Sequence, residues 1–424
     1  MFSLLWLGKC IFEHIFFSIR TIYNGEFEGE EQQENEYNIS FTPGQAPGAE
    51  IHLFDMLKTE PLVSSGMQNL NLKVSVHGTK LSRDDSLLVC TYSCFNDQIS
   101  STGNKAFAVV QVEESYEKLR ISLSNVINDV EHIQKTGKCD GDTSVQQITL
   151  FIGGDYEFLL MSLGMESANN NHSCIYCYIS EAKRQDLRNN GEQRVMHGYW
   201  EKDNGCANPP IFPSVPVTSY IIDELNLFLR ISDQLEDALI QSVIARDEKE
   251  KPQIKYEYVM LEKMHSIGVP MKILRNNNKV EWTSLMGSSK TTLVKKLPSY
   301  FPSFLPLEQA SETTLLWQKF DQLYEKMNRS TKLTEIEIDT FEIEVVKWVE
   351  MLKNMPGCGY DPSISVTPYI HIFVKHVPDL LRRFGTLRPF SGQGVEKKKD
   401  EFKKIFQRKT NKWDACESML KGEK

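Results

Sequence analysis

The apolar positions between residues 70 and 112 follow the two-residue period of β-strands. LKVSVHGTKL alternates between apolar and polar residues, SLLVCTYSCF is a continuous apolar run, and KAFAVVQV is short and β-branched. The polar turns SRDD and SSTGN separate these runs. The pattern therefore predicts three consecutive antiparallel strands, with Cys90 and Cys94 as small residues inside a buried strand.

After the third strand, apolar residues recur at the spacing of a helix. ESYEKLRISLSNVINDVEHIQK has this spacing, QQITLFIGG then predicts a strand that ends at Asp155, and EFLLMSLGM predicts a further helix. Three strands, a helix, a strand and a helix make the first part of a ribonuclease-H-like fold. In that architecture, acids lie on the first strand, at the end of the fourth strand and on a later helix. Asp155 has the second position, although an Asp at a strand end can also simply cap the next turn.

The rest of the chain alternates between loops and helices. NNGEQRVMHGYWEKDNGCANPPIFPSVP is typical of a loop, and three amphipathic helices and a basic helix, VEKKKDEFKKIFQRK, follow it. The predicted fold class is mixed α/β. We divide the chain into an apolar and then acidic N-terminal segment, the first part of the core, a loop-rich and helical insertion, and a C-terminal part with the basic helix (1–50, 51–165, 166–360 and 361–424).

Charge is distributed unevenly along the chain. The net charge of −9 argues against DNA binding over the whole surface. Residues 381–424, however, carry thirteen Lys and Arg against six Asp and Glu, a local balance of +7. This tail is the predicted contact for double-stranded DNA, and the alternative is a solvated charged helix.

Two features bear on the cellular compartment. The apolar N-terminus is broken by Lys9, Glu13 and Arg20, so its uncharged stretches are shorter than the roughly 20 residues of a membrane span. We therefore expect no membrane association. The nine cysteines lack the spacing of a disulfide framework, and their odd number favours a reducing compartment.

Two pairs of metal-type ligands are far apart in the chain. Cys174 and Cys177 form a Cys-x-x-Cys pair, and His371 and His376 follow nearly two hundred residues later. Two thiolates and two imidazoles suit one tetrahedral zinc ion, which would be structural because four protein ligands leave no open position. The alternative is two buried thiols and two unrelated histidines.

Carboxylates near these ligands predict a second type of metal site. Asp155 precedes the cysteine pair and Glu396 follows the histidine pair. Hydrolysis or strand transfer of DNA by two Mg²⁺ or Mn²⁺ ions needs acids of this kind. A core of this type needs three acids, but His77 occupies the first position, and a neutral imidazole is a poor ligand for Mg²⁺.

These segments resemble a known family. FIGGDYEFLLMSLGMESANNNHSCIYCYISEAKR and TPYIHIFVKHVPDLLRRFGTLRPFSGQGVEKKKDEF are similar to the catalytic segments of the V(D)J recombination-activating recombinase core and its Transib-type DDE transposase relatives. The resemblance covers roughly residues 70–424. It implies a ribonuclease-H-like DDE core with a zinc-stapled helical insertion, Asp155 and Glu396 as catalytic acids, and Cys174, Cys177, His371 and His376 as zinc ligands.

Three functions are compatible with this resemblance. The first is a transposon-derived protein whose cut-and-paste DNA strand transfer is degenerate because His77 replaces the first acid. The second is a non-catalytic protein that uses the scaffold to bind DNA or a partner, and the third is an active Mg²⁺-dependent transposase. The family also implies a homodimer in the nucleus, without a small-molecule substrate.

Overall fold

The structure is a computed structural model that describes residues 38–64, 69–82, 85–95, 103–138, 147–194, 204–276, 279–355, 366–409 and 415–421. Residues 1–37, most of the predicted N-terminal segment, lie outside this described part. Among the helices of the described part, none is both long enough and apolar enough to cross a membrane.

A six-stranded mixed sheet has the strand order β1-β2-β5-β4-β3-β6. Its strands are β1 (Ile39–Phe41), β2 (Gly48–Ile51), β3 (Asn69–Lys80), β4 (Ser86–Phe95), β5 (Lys105–Val110) and β6 (Gln147–Gly154). The three predicted strands β3, β4 and β5 pair antiparallel, and β6 pairs parallel with β3. The prediction of a mixed α/β fold is therefore confirmed.

Helices pack against this sheet and form most of the second half of the chain. Those that precede residue 166 are α1 (Leu53–Lys58), α2 (Pro61–Ser64), α3 (Tyr116–Ser122), α4 (Ser124–Thr136) and α5 (Tyr156–Ser162). Those that follow are α6 (Glu181–Arg184), α7 (Glu224–Glu250), α8 (Tyr256–Ser266), α9 (Gly287–Lys296), α10 (Leu307–Met327), α11 (Glu335–Lys353), α12 (Pro368–Lys375), α13 (Val377–Phe384), α14 (Gln393–Lys409) and α15 (Ala415–Leu420). A hairpin of β7 (Ile273–Asn276) and β8 (Lys279–Trp282) lies between α8 and α9.

Two local features differ from the sequence prediction. The single helix predicted over residues 114–135 is two helices, because Leu123, with φ −104° and ψ 17°, ends α3 before α4 begins. Strands β1 and β2 extend the sheet beyond β5 but were not predicted. They contain only three and four residues and lie beside glycines and prolines, so no alternating pattern marks them.

The register between β3 and β6 determines which side chains meet at the end of the sheet. Val76 is paired with Gly154, so His77 and Asp155 follow side by side. Gly154 has φ +155°, and a Cβ at this position would lie 2.5 Å from the Phe158 ring. Glycine therefore lets the strand turn directly into α5, with Asp155 as its N-cap.

An aromatic cluster attaches the segment before α14 to the sheet. The ring of Phe390 lies 5.1 Å from that of Phe95, 5.3 Å from that of Phe151 and 4.6 Å from that of Phe384. Phe390 is 2% exposed. Because Glu396 lies only six residues further along the chain, this cluster places α14 near the ends of β3 and β6.

We expect Phe390→Ala to lower the free energy of unfolding by about 3–5 kcal/mol, because it removes buried ring contacts and leaves a cavity. Urea unfolding followed by circular dichroism measures this change. Phe41→Ala is the matched control, since Phe41 is 84% exposed, and it should change stability by less than about 0.5 kcal/mol. Equal effects of the two substitutions would contradict the role assigned to the cluster.

Candidate metal centre and candidate active site

Four ligand-type side chains that are distant in the chain lie together in the structure. The ligand atoms of Cys174, Cys177, His371 and His376 all lie within 4.8 Å of one another. Sγ of Cys174 is 3.3 Å from Nε2 of His376, and Sγ of Cys177 is 3.3 Å from Nε2 of His371. Within the described part of the chain, this is the one group of three or more such side chains that can hold a metal ion.

The two histidines reach the cysteine pair because the helix is interrupted between them. α12 ends at Lys375, and His376 follows with φ −112° and ψ −27°. In an uninterrupted helix, residues five positions apart would point about 140° away from each other. The interruption, with Pro378 in the first turn of α13, brings both imidazoles to one side.

A buried arginine holds the loop that carries the cysteines. Nε of Arg194 donates to the carbonyl oxygen of Cys174 at 2.6 Å, and Nη2 donates to those of His172 and Asn204 at 2.8 and 2.9 Å. Its guanidinium also lies over the ring of Tyr178. Sequence analysis missed Arg194, because a single arginine in a loop forms no motif.

The protonation of Cys177 and His371 favours metal binding, whereas that of Cys174 opposes it. The hydrogen bond from Cys174, followed by those from the two histidines, lowers the pKa of the Cys177 thiol, whereas burial raises the pKa of the Cys174 thiol. Burial lowers the pKa of His371, which keeps its imidazole neutral and able to bind a metal. The two thiols and two imidazoles form a buried group compatible with a structural zinc ion.

His77, Asp155 and Glu396, which the sequence predicted as one site, also lie together. Nδ1 of His77 is 3.7 Å from Oδ2 of Asp155, and Nε2 of His77 is 3.5 Å from Oε1 of Glu396. The imidazole therefore lies between the two carboxylates. Oδ1 of Asp155 meanwhile accepts a hydrogen bond from the Phe158 amide at 2.8 Å. Asp155 thus caps α5 with one oxygen and faces His77 with the other.

Lys399 provides a positive charge at this site. Its ammonium donates to Oε1 of Glu396 at 3.0 Å and to Nδ1 of His77 at 3.2 Å. Because an ammonium can only donate, this contact to His77 is a hydrogen bond when Nδ1 is the acceptor. The Lys399 side chain is only 12% exposed, so it is not part of the exposed basic surface of α14.

Glu114 brings a further carboxylate that sequence analysis did not identify. It lies in the loop between β5 and α3, and its side chain occupies the space beside Gly78, where a Cβ would collide with it. Burial and the charge of Asp155 raise the pKa of Glu114 to about 7, although the Gly78 amide donates to it. An acid in an irregular loop has no periodic signal, but its position in the chain between His77 and Asp155 was a clue.

The second site does not fit a pair of Mg²⁺ ions as it stands. Such ions need carboxylate oxygens that converge on common points. Here the two ring nitrogens of His77 face different carboxylates, and the ammonium of Lys399 bonds to Glu396. The described residues at this site accordingly present no set of three close ligand atoms of the kind found at the cysteine–histidine group.

Buried polar contacts fix the start of α14. Oδ1 of Asp223 accepts from the amide of Gly392 at 2.8 Å, and Nζ of Lys73 donates to the carbonyl oxygen of Ser391 at 3.0 Å. Lys73 is 1% exposed, and burial lowers its pKa. These contacts hold the residues that lead to Glu396. Lys73 and Asp223 are both far away in the chain from the two residues that they bond.

No protein-family model matches this chain, and no curated protein is significantly similar to it. A function is therefore assigned from the residues and geometry of the chain itself.

We expect freshly purified, chelator-free protein to contain about one equivalent of zinc per chain, because the buried cysteine–histidine group has the donor set of a structural site. Elemental analysis by mass spectrometry measures the content. Cys177→Ser should lose the metal, and Cys206→Ser, which changes a nearby cysteine outside the group, should keep it. Zinc-free native protein, or equal retention by both variants, would contradict this assignment.

We also expect stability to depend on pH through Glu114. Its pKa is raised in the folded protein, so the folded state favours the protonated form and loses stability as pH rises from about 4.5 towards 7. Between pH 5 and pH 8, the free energy of unfolding of the native protein should therefore fall by about 2–3 kcal/mol more than that of Glu114→Gln. Urea unfolding at both pH values tests it.

The control for this pH experiment is Glu113→Gln, because the Glu113 side chain is 72% exposed. It should leave the pH dependence unchanged. A pH dependence that is the same in the native protein and in Glu114→Gln would show that Glu114 does not titrate as its surroundings indicate.

Proposed function

We propose that this chain is a transposon-derived protein of the DDE type, with a ribonuclease-H-like core and degenerate DNA strand-transfer catalysis. The observation that carries the proposal is the parallel pairing of β3 with β6. This pairing puts His77, which lies within β3, beside Asp155, which follows the end of β6, with Glu396 opposite them. An acid at position 77 would complete a cluster of three carboxylates.

The order of the elements supports the ribonuclease-H-like core. Three antiparallel strands, β3 to β5, are followed by the helices α3 and α4, and the chain then returns to add β6 parallel to β3. A later helix, α14, contacts β3 and brings Glu396 to the same end of the sheet. These are the positions at which the fold places its three acids.

The cysteine–histidine group supports the zinc-stapled insertion. Cys174 and Cys177 follow α5 at the end of the core, and His371 and His376 lie where the chain leaves the long helices. A zinc ion bound here would join the entry and the exit of the helical region. We propose that this metal keeps α12 to α14, and therefore Glu396, close to the sheet.

His77 and Lys399 support degenerate catalysis. Two-metal strand transfer depends on a cluster of acids that neutralises added cations. Here an imidazole replaces one acid, and an ammonium is bonded to another. No reaction step is assigned to the site in this form. We further propose, by analogy with the family alone, that the protein is a nuclear homodimer that contacts double-stranded DNA through exposed lysines of α14 such as Lys397 and Lys404.

One observation favours a second candidate, an active divalent-metal-dependent transposase. Glu114 brings a third carboxylate to the surroundings of Asp155 and Glu396, although from a loop instead of the first strand. In this case the acid missing at position 77 would be supplied by Glu114, and catalysis would depend on it.

We expect native protein to leave supercoiled plasmid intact in Mn²⁺, and His77→Asp to nick it, because the new carboxylate would complete the cluster. The double variant His77→Asp/Glu396→Gln should again be inactive. Agarose gel electrophoresis of the plasmid measures nicking.

The remaining outcomes distinguish the other functions. If native protein nicks the plasmid, and both Glu114→Gln and Glu396→Gln lose this activity, the protein is an active enzyme and its catalysis is not degenerate. If native protein, His77→Asp and His77→Asp/Lys399→Met all fail to nick, the DDE assignment of Asp155 and Glu396 is wrong. Salt-dependent DNA binding by that inactive protein would then indicate a binding function.

A further inference from the structure

The acidic site contains its own cation. Lys399 lies three residues after Glu396 on α14, so both side chains project from the same face of the helix. The Glu396 side chain is 46% exposed, but the Lys399 side chain is only 12% exposed. The ammonium therefore extends inwards from the helix, to the position between Glu396 and His77.

We propose that Lys399 is a tethered counter-ion that takes the place of a divalent cation at this site and competes with such a cation for Glu396. This inference deepens the proposed function, because it concerns the same carboxylates. It rests on the proposed function only for the interpretation of Asp155 and Glu396 as former metal ligands. It assigns the loss of metal binding to Lys399 as well as to the replacement of an acid by His77.

The contacts of the ammonium support this role. It forms a charge-assisted hydrogen bond with Glu396 at 3.0 Å and a second hydrogen bond with His77 at 3.2 Å. A divalent cation bound to Glu396 would have to break both bonds. It would also have to bind beside a positive charge that the helix holds in place, which costs electrostatic energy at this short range.

Neighbouring lysines do not share this role. Lys398, on the same turn of α14, pairs with Glu401 at 3.3 Å. The buried Lys73 donates to the carbonyl oxygen of Ser391 and lies near the carboxylates of Asp223 and Glu224. Within the described part of the chain, Lys399 is the lysine that bonds directly to a carboxylate of the site.

The test is Mn²⁺ binding to zinc-loaded, full-length protein, measured from the electron paramagnetic resonance signal of free Mn²⁺. Lys399→Met keeps the length of the side chain but removes its charge. We expect it to bind Mn²⁺ at least about tenfold more tightly than the native protein. Lys398→Met is the matched control, because it removes the same charge from the same helix, and it should bind Mn²⁺ as weakly as the native protein.

A second substitution locates the added metal. Lys399→Met/Asp155→Asn should lose the gain in affinity if Mn²⁺ binds at the acidic site. The proposal is overturned if Lys399→Met gains nothing, if Lys398→Met gains as much, or if the gain survives Asp155→Asn. Lys399→Gln provides the same comparison if circular dichroism shows that Lys399→Met does not fold.

This experiment can fail independently of the proposed function. Tighter Mn²⁺ binding by Lys399→Met supports the tethered counter-ion even if no variant nicks DNA. Conversely, Mn²⁺-dependent nicking by His77→Asp would support the DDE ancestry even if Lys399→Met bound Mn²⁺ no more tightly than the native protein.

Discussion

The parallel pairing of β3 with β6 is the interaction on which the rest of the structure depends. These strands are separated in the chain by two antiparallel strands and two helices, yet their register places Val76 beside Gly154. A shift of one residue would turn His77 and its neighbours to the opposite face of the sheet. The pairing therefore determines both which side chains line the site and where α5 begins.

The second half of the chain is attached to this sheet by interactions of different physical kinds. The ring of Phe390 packs against aromatic rings of β4 and β6, and Asp223 and Lys73 bond to the backbone just before α14. The cysteine–histidine group joins the loop after α5 to α12 and α13. The aromatic packing does not depend on a metal, whereas the cysteine–histidine group would. Two kinds of interaction therefore hold Glu396 in position. Removal of a bound metal would weaken the cysteine–histidine group but would leave the aromatic packing intact.

The parts of the fold that could be predicted are those with long periodic patterns. β3 contains twelve residues, so its alternation is visible, and β4 is a continuous apolar run of ten residues. The position of Asp155 follows from the end of β6. β1 and β2 are too short to show a period. Glu114 lies in an irregular loop, and only the tertiary fold brings it to Asp155. Lys399 belongs to a run of three lysines, and composition cannot indicate which of the three points inwards. The available signal was the three-residue spacing between Glu396 and Lys399.

The two clusters balance buried charge in opposite ways. A buried anion needs a nearby positive charge or hydrogen-bond donors, because it has lost the stabilisation that water provides. The cysteine–histidine group has a thiol with a lowered pKa at Cys177. The nearby guanidinium of Arg184 donates to Ser173 and to the Val366 carbonyl oxygen and not to a thiol, so a metal ion is the natural source of positive charge at the ligand atoms. At the acidic site, Lys399 supplies that charge from within the chain. The same principle therefore favours a metal at one site and disfavours it at the other, although both contain ligand-type residues. Ligand types alone do not identify a metal site; the charges already present around them decide whether a metal is needed.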